Sequence, residues 1–257
     1  MTTLVSFDVD GTLIKSVGEK ANQLHKQAFS HCFRAVFGVD TDIDVVQHHG
    51  GTDPLIIKKV LEHFGFSGTQ VMERLQDLQD AMLRYYDEHR ATAGDGLEVL
   101  PGVVDLLEAL KLRGDVATCL VTGNLEPIGW AKMEASGIRH LFTEPNFGGF
   151  GSDFCSGDTS CMWRDRGEMI RIAAKKAAEI LPGGISAHYH IGDTPQDLYA
   201  AASAGASGVG VATGIFGREE LEDCNTGGVV LDGLSDVGSV LRTLGLEEPN
   251  GEMRPAV

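Results

Sequence analysis

A chain of 257 residues, 42% apolar and 23% charged, has the composition of an ordinary globular protein and can fill one large domain or two unequal ones. Its 37 acidic against 21 basic side chains give a formal charge of −16 at pH 7, which opposes binding to nucleic acid or to an anionic membrane. No apolar run approaches the roughly 20 residues that cross a bilayer, and no basic-then-apolar leader precedes "LVSFDVDG", so a cytoplasmic location is expected.

The first element is "LVSF", a β-branched apolar run that "DGT" ends with a turn. From Gly18 to Phe37 the apolar positions Ala21, Leu24, Ala28, Phe29, Cys32, Phe33, Val36 and Phe37 recur at helical spacing. "HHGGTDP" breaks that pattern, and Asp53 before Pro54 reads as a helix N-cap with Pro in the first turn. Leu55 to Phe64 and Val71 to His89 predict two more helices, so residues 15–96 are expected to be nearly all helix, without a strand. Pro101 then opens a helix to about Leu112, and "DVATCLVTGN" reads as a buried strand ending in a turn. A helix over Glu126–Ser136, a short strand over Leu141–Thr143 and a glycine-rich loop, "NFGGFGSD", follow. The remainder predicts a helix over Gly167–Leu181, a strand in "SAHYHIGDT", a helix in "PQDLYAAASAGA", strands in "GVGVATG" and "GVVLDGL", and a frayed tail, "EEPNGEMRPAV".

From residue 97 onward strands alternate with helices at βαβ spacing, which argues for a parallel sheet. The first strand is cut off from the others by the helical block, so that block is an insertion. The expected fold is therefore α/β: a Rossmann-like parallel-sheet core of residues 1–14 plus 97–257, with an inserted all-helical cap of residues 15–96. The five cysteines are scattered and odd in number, which predicts free thiols; Cys155 and Cys161 flank a polar loop but match no common zinc spacing.

Asp8 and Asp10 stand two positions apart at the end of the first strand. Like charges held that close repel by about 1 kcal/mol in water and by several times more at low effective dielectric. A cation between them would relieve this. Three polar turns follow apolar strands, "DVDGT", "TGN" and "GDTPQD", and in an open parallel sheet strand ends of this kind converge on one edge. Asp193 would then join Asp8 and Asp10, and three oxygen donors with waters and a phosphate suit Mg²⁺. In the turn Thr122-Gly123-Asn124 a hydroxyl and close backbone N–H groups can bind phosphate, and Gly11 permits a tight exit from the first strand.

These motifs in this order, with "VLPGV", "ASAGA" and "GVATG" around them, resemble the haloacid dehalogenase-like superfamily, within it the phosphoglycolate-phosphatase-like hydrolases with a helical cap. The resemblance implies a Mg²⁺-dependent phosphatase of a small phosphorylated metabolite. Asp8 would attack phosphorus and carry an aspartyl-phosphate, and Asp10 would protonate the leaving oxygen and then activate water. Mg²⁺ would be held by Asp8, by Asp193 and by Asp10 through its backbone carbonyl, with Asp197 supporting the site from behind. Many relatives place a lysine before the next helix; here stands "CMWRDRGEMIRIA", so Arg166 is the favoured basic residue and Arg164 the alternative.

Weaker candidates carry blander readings. His48 and His49 precede a turn of the cap, Thr52 and Asp53 read as helix caps, and His188 and His190 are expected to meet neighbouring helices. A phosphomutase would share the same core. A haloalkanoate dehalogenase would not need Asp10 or Asp193, and a phosphonate hydrolase, for which Lys58 or Lys59 could serve as the cap lysine, usually lacks the equivalent of Asp10. A non-catalytic binding protein would be expected to have lost one of the three aspartates. The insertion should act as a lid on two hinges, near Lys15–Gly18 and Gly94–Leu97, with "HHGGTDP" nearest the site.

Overall fold

The computed structural model describes residues 2–246; the tail expected to fray, 247–257, lies outside them. Strand β1 (Thr2–Phe7) runs through the middle of the molecule, with Leu4, Val5 and Phe7 fully buried on its two faces. A tight turn follows, in which the Gly11 N–H donates to the Ile14 carbonyl at 2.7 Å, and β2 (Ile14–Ser16) leaves it. Next come α1 (Gln23–Phe37), α2 (Asp53–His63), α3 (Gly68–Glu73) and α4 (Leu75–Glu88), and then β3 (Leu97–Val99). β2 and β3 pair antiparallel, Lys15 against Glu98, so the two chain segments joining the helical insert to the sheet form one ribbon.

The rest alternates as expected: α5 (Val103–Lys111), β4 (Val116–Thr122), α6 (Glu126–Ala135), β5 (Gly148–Phe150), α7 (Trp163–Ile180), β6 (Ile185–Gly192), α8 (Pro195–Ala204), β7 (Ser207–Val211), α9 (Arg218–Glu222), β8 (Val229–Leu231) and α10 (Val237–Thr243). Six strands make one parallel sheet in the order β5-β4-β1-β6-β7-β8. From β1 the chain moves towards β4 and β5, then returns to β6 and moves the other way. The crevice between the carboxyl ends of β1 and β6 is thus the switch point, where ligands bind in open sheets of this kind.

One face of the sheet packs Val5, Phe7 and Leu120 against Leu106, Leu107 and Leu110 of α5. The other packs Leu4, Ala117 and Cys119 against Met169, Ala173 and Ala177 of α7 and Ala200 and Ala201 of α8. The insert has its own apolar cluster, built from α1, α2 and α4, and this cluster continues into Leu125, Ile128 and Ala131 at the start of α6. The insert therefore sits on α6 through buried side chains, above the strand ends.

Several sequence expectations are corrected. The insert is not free of strand, because Ile14–Ser16 and Leu97–Val99 pair at its base. Helix α1 begins at Gln23 and not near Gly18, since Asn22 holds a left-handed backbone (φ 50°) that helical hydrogen bonding cannot continue. The helix expected over Val71–His89 is broken at Arg74, and Ser67 with Gln70 starts a separate helix through a capping box. No strand forms at Leu141–Thr143; Phe142 instead packs edge-on against Phe7 and Trp130. The fifth strand lies inside the glycine-rich stretch read as a loop. α7 presses so closely on it that a Cβ on Gly149 would lie 2.0 Å from the Met169 carbonyl oxygen, so glycine there marks contact and not a turn.

Candidate active site

Asp8 follows β1 directly and Asp193 follows β6, so the parallel register that aligns Phe7 with Ile191 sets the two carboxylates at the same edge. Asp197 arrives from the first turn of α8. Its carboxylate accepts from the Thr194 N–H at 3.0 Å and from the Thr194 hydroxyl at 2.6 Å, a capping box that turns it inward. Carboxylate oxygens of Asp8, Asp193 and Asp197 lie within 4.8 Å of one another, all three residues buried. Into this cluster α7 brings Arg166, whose Nη1 is 3.0 Å from Asp8 Oδ1 and 2.8 Å from Asp197 Oδ1.

The charges do not balance. Burial raises the Asp8 carboxyl above its ordinary value; the Arg166 guanidinium opposes this, and the charge of Asp197 adds to it. Asp193 is raised well above the usual carboxylate range by burial and by Asp197 and Asp8; Arg166 and the Thr12 hydroxyl, 3.2 Å from Oδ1, only partly compensate. Asp197 is different. Burial pushes it up, but Arg166 and the bonds from His190 and Thr194 outweigh that and hold it well below the usual range. The arrangement leaves Asp8 and Asp193 as hard oxygen donors with surplus negative charge, which is the donor chemistry of Mg²⁺. Asp197 is already engaged by Thr194, His190 and Arg166. Gly11 takes φ +88°, and a Cβ there would sit 2.2 Å from Asp193 Oδ2, so the turn closes over this carboxylate only without a side chain.

Asp10 stands outside that cluster. Its carboxylate turns to Lys132 of α6, with Nζ at 2.9 Å from Oδ1 and 2.7 Å from Oδ2, and accepts from Asn124 Nδ2 at 3.0 Å. Burial alone would raise Asp10, but the Lys132 ammonium first, and the bond from Asn124, bring it below its ordinary value. The expectation of one cation lying between the Asp8 and Asp10 carboxylates is thereby corrected: Asp10 has its own counter-ion in Lys132.

The Thr122-Gly123-Asn124 turn follows β4. The Thr122 hydroxyl accepts from Asn124 Nδ2 at 2.7 Å, and Gly123 meets the insert: its carbonyl accepts from the Asp53 N–H at 2.8 Å. A Cβ on Gly123 would lie 2.3 Å from the Gly51 carbonyl oxygen. A cavity of about 500 Å³ opens above the carboxylates, bounded on the core side by Asp8, Thr122 and Arg166 and on the insert side by Phe29, His48 and His49. "HHGGTDP" thus forms part of the wall of this cavity.

Asp8, Asp10, Gly11, Thr122, Gly123, Asn124, Arg166 and Asp193 all line this cavity, Asp197 adjoins them, and Arg166 rather than Arg164 reaches Asp8. Arg164 is exposed, with its guanidinium over the Trp163 ring. Lys58 pairs with Glu62 and Lys59 bonds the Gln47 carbonyl. His190 meets helix α8 through Asp197, as expected, but His188 meets Ser6 of the neighbouring strand. Asp53 is corrected: the N-cap of α2 is Thr52, and the Asp53 carboxylate accepts from His25 Nε2 at 3.1 Å and from the Leu125 N–H at 3.0 Å. Sequence reasoning missed Lys132 and His25. The available signal was a lysine one turn after Ile128 on a helix face otherwise apolar, and a histidine beside Leu24 in the apolar stripe of α1.

Comparison with known proteins agrees with this geometry. The model of the haloacid dehalogenase-like hydrolases matches residues 2–205, and the chain belongs to that family. Among curated relatives, phosphoglycolate phosphatase 1 of Pseudomonas aeruginosa is 28% identical over 91% of this chain and 78% of its own length. The phosphoglycolate phosphatase of Agrobacterium fabrum is 22% identical over 83% and 82%. A hydrolase from Pseudomonas syringae shares the fold with a TM-score of 0.60 at 22% identity, over 94% of this chain and 98% of that one.

Proposed function

We propose that this phosphoric monoester hydrolase is a Mg²⁺-dependent phosphatase of a small phosphorylated metabolite, working through an aspartyl-phosphate on Asp8, with residues 15–96 as a cap over the site. The observation that carries the reading is geometric: at one sheet edge Asp8 lies among the buried carboxylates of Asp193 and Asp197 beside Arg166, while Asp10, two residues on, turns to Lys132.

Asp8 attacks phosphorus, the bond to the leaving oxygen breaks, and Asp10 supplies that oxygen with a proton. Water then attacks the aspartyl-phosphate, Asp10 takes its proton, and the bond between phosphorus and Asp8 breaks to release phosphate. In the resting site Asp10 is held as carboxylate, which suits the second step. An arriving phosphoryl dianion opposes that depression by like charge and so favours the proton needed in the first. Arg166 holds Asp8 in line, and the Thr122 hydroxyl and the turn after β4 face the phosphoryl oxygens. Mg²⁺ bound by Asp8 and Asp193, with the Asp10 backbone carbonyl as the further protein ligand, would neutralise phosphoryl charge in the transition state.

Phosphoglycolate is the first compound to test, because two relatives carry its name. The cavity also admits larger phosphate esters. Five unpaired cysteines fit a reducing, cytoplasmic location, and no described helix is long and apolar enough to cross a membrane. A panel of phosphorylated metabolites, assayed with and without Mg²⁺, tests the reading: phosphate release from at least one should need the metal. Undiminished release in excess chelator would overturn it.

A further inference from the structure

We infer that Lys132 is the positioning residue for Asp10, and that it makes the placement of Asp10 depend on contact between the insert and α6. The inference rests on the phosphatase reading for its kinetic consequence and on geometry for everything else.

Lys132 is fully buried on α6. An ammonium has three N–H donors and no acceptor. Three side chains surround Nζ: Asp10 at 2.7 Å, Asn124 Oδ1 at 3.0 Å and His25 Nδ1 at 3.2 Å. Each donor thus has one acceptor residue. For Lys132 to donate to Nδ1, His25 must be the neutral tautomer protonated on Nε2, and Nε2 indeed faces Asp53 Oδ2 at 3.1 Å. The same Asp53 oxygen accepts from the Leu125 N–H at the start of α6, at 3.0 Å.

A closed circuit results, running from Asp10 through Lys132 to His25 on α1, on to Asp53 on α2 and back to α6. Two of its members come from the insert and two from α6, within the apolar cluster of Leu125, Ile128 and Ala131. Lifting the insert would take one acceptor, His25, from a buried ammonium and the Leu125 N–H from Asp53, which costs more in a dry interior than at a surface. Asp10 is therefore held in its orientation most firmly when the insert is seated. A substrate that seats it would complete the fixing of the proton-transfer group, whereas an unseated insert leaves Asp10 freer to move.

The test is a cycle of Lys132→Met in the wild-type and Asp10→Asn backgrounds, read on the Mg²⁺-loaded enzyme with an aryl phosphate, together with amide hydrogen exchange of the metal-free proteins. Lys132→Met should lower kcat by about 10²-fold, the scale of a lost proton-transfer group, with KM changed by less than about threefold. It should add no further loss in Asp10→Asn, since both changes remove the same function. A full additive loss in that background, or an unchanged kcat, overturns the inference. Exchange should quicken in residues 23–37 and at the start of α6; unchanged exchange overturns the tie to the insert. Should Lys132→Met fail to fold, His25 serves instead: His25→Gln keeps an acceptor for Lys132 and should retain most of the rate, and His25→Leu should lose about tenfold. Equal rates in the two His25 variants also count against it. If the wild type releases no phosphate from any ester, the phosphatase reading falls while the exchange measurement still decides the circuit.

Discussion

Asp8 and Asp10 are separated by one residue yet occupy two different electrostatic regions. Asp8 lies in the crevice between β1 and β6, where three buried carboxylates share one guanidinium. Asp10 faces α6, where one carboxylate receives an ammonium and an amide. The first region has surplus negative charge and fits a cation; the second is already neutralised and fits a group whose orientation matters more than its charge. The difference teaches that two aspartates one residue apart in sequence are not evidence that their carboxylates share a ligand. The turn between β1 and β2 sends the two side chains to different partners.

The largest test of this contrast is removal of the proposed nucleophile. Asp8→Asn should fold and should lose turnover by on the order of 10⁴-fold or more, as happens when a covalent nucleophile is deleted. Steady-state phosphate release checks this. Asp10→Asn should cost less, about 10²–10⁴-fold, with Mg²⁺ affinity nearly unchanged because its carboxylate lies outside the acidic cluster. Titration calorimetry with Mg²⁺ separates it from Asp193→Asn, which should lose the metal.

Asp193 also sharpens the contrast through stability. Its folded pKa is raised, so the stability it contributes is fully present below about pH 4 and is lost as pH rises through the folded value. Metal-free Asp193→Asn should therefore melt a few degrees above the wild type at pH 8, and the gap should close in acid. Mg²⁺ should reverse the order by stabilising only the wild type. Thermal melts across pH, with and without metal, check the sign. Gly123→Ala should act mainly on the insert by pushing Gly51 away, raising KM by several-fold with a smaller change in kcat. Arg164→Ala, on an exposed side chain, should change turnover by less than about twofold, within the range usual for surface substitutions.

The sheet and the three motif turns were legible because strand periodicity and strand-end placement are local and strong signals. Asp8 and Asp193 converge for that reason, whereas Arg166 and the place of Asp197 were legible only through the resemblance to a known family. What escaped depends on packing between distant segments. Gly148 and Gly149 read as loop because their defining property is the closeness of α7, which no local pattern encodes. The ribbon of Ile14–Ser16 with Leu97–Val99 joins segments some eighty residues apart, and each arm is too short to announce itself. Lys132 and His25 escaped because a buried charge is legible only once its partners are known. Asp53 was assigned to helix capping by its place before Pro54, and the structure gives that place to Thr52.

The central claim is that Asp8 carries the phosphoryl group. Rapid acid quench during turnover of a ³²P-labelled ester in Mg²⁺, followed by peptide mapping, tests it most directly. The account predicts label on the peptide bearing Asp8, absent in Asp8→Asn and more abundant in early turnovers when Asp10 is replaced by asparagine and an aryl ester with a good leaving group is used. Steady turnover with no label on that peptide, or label that persists in Asp8→Asn, would contradict it.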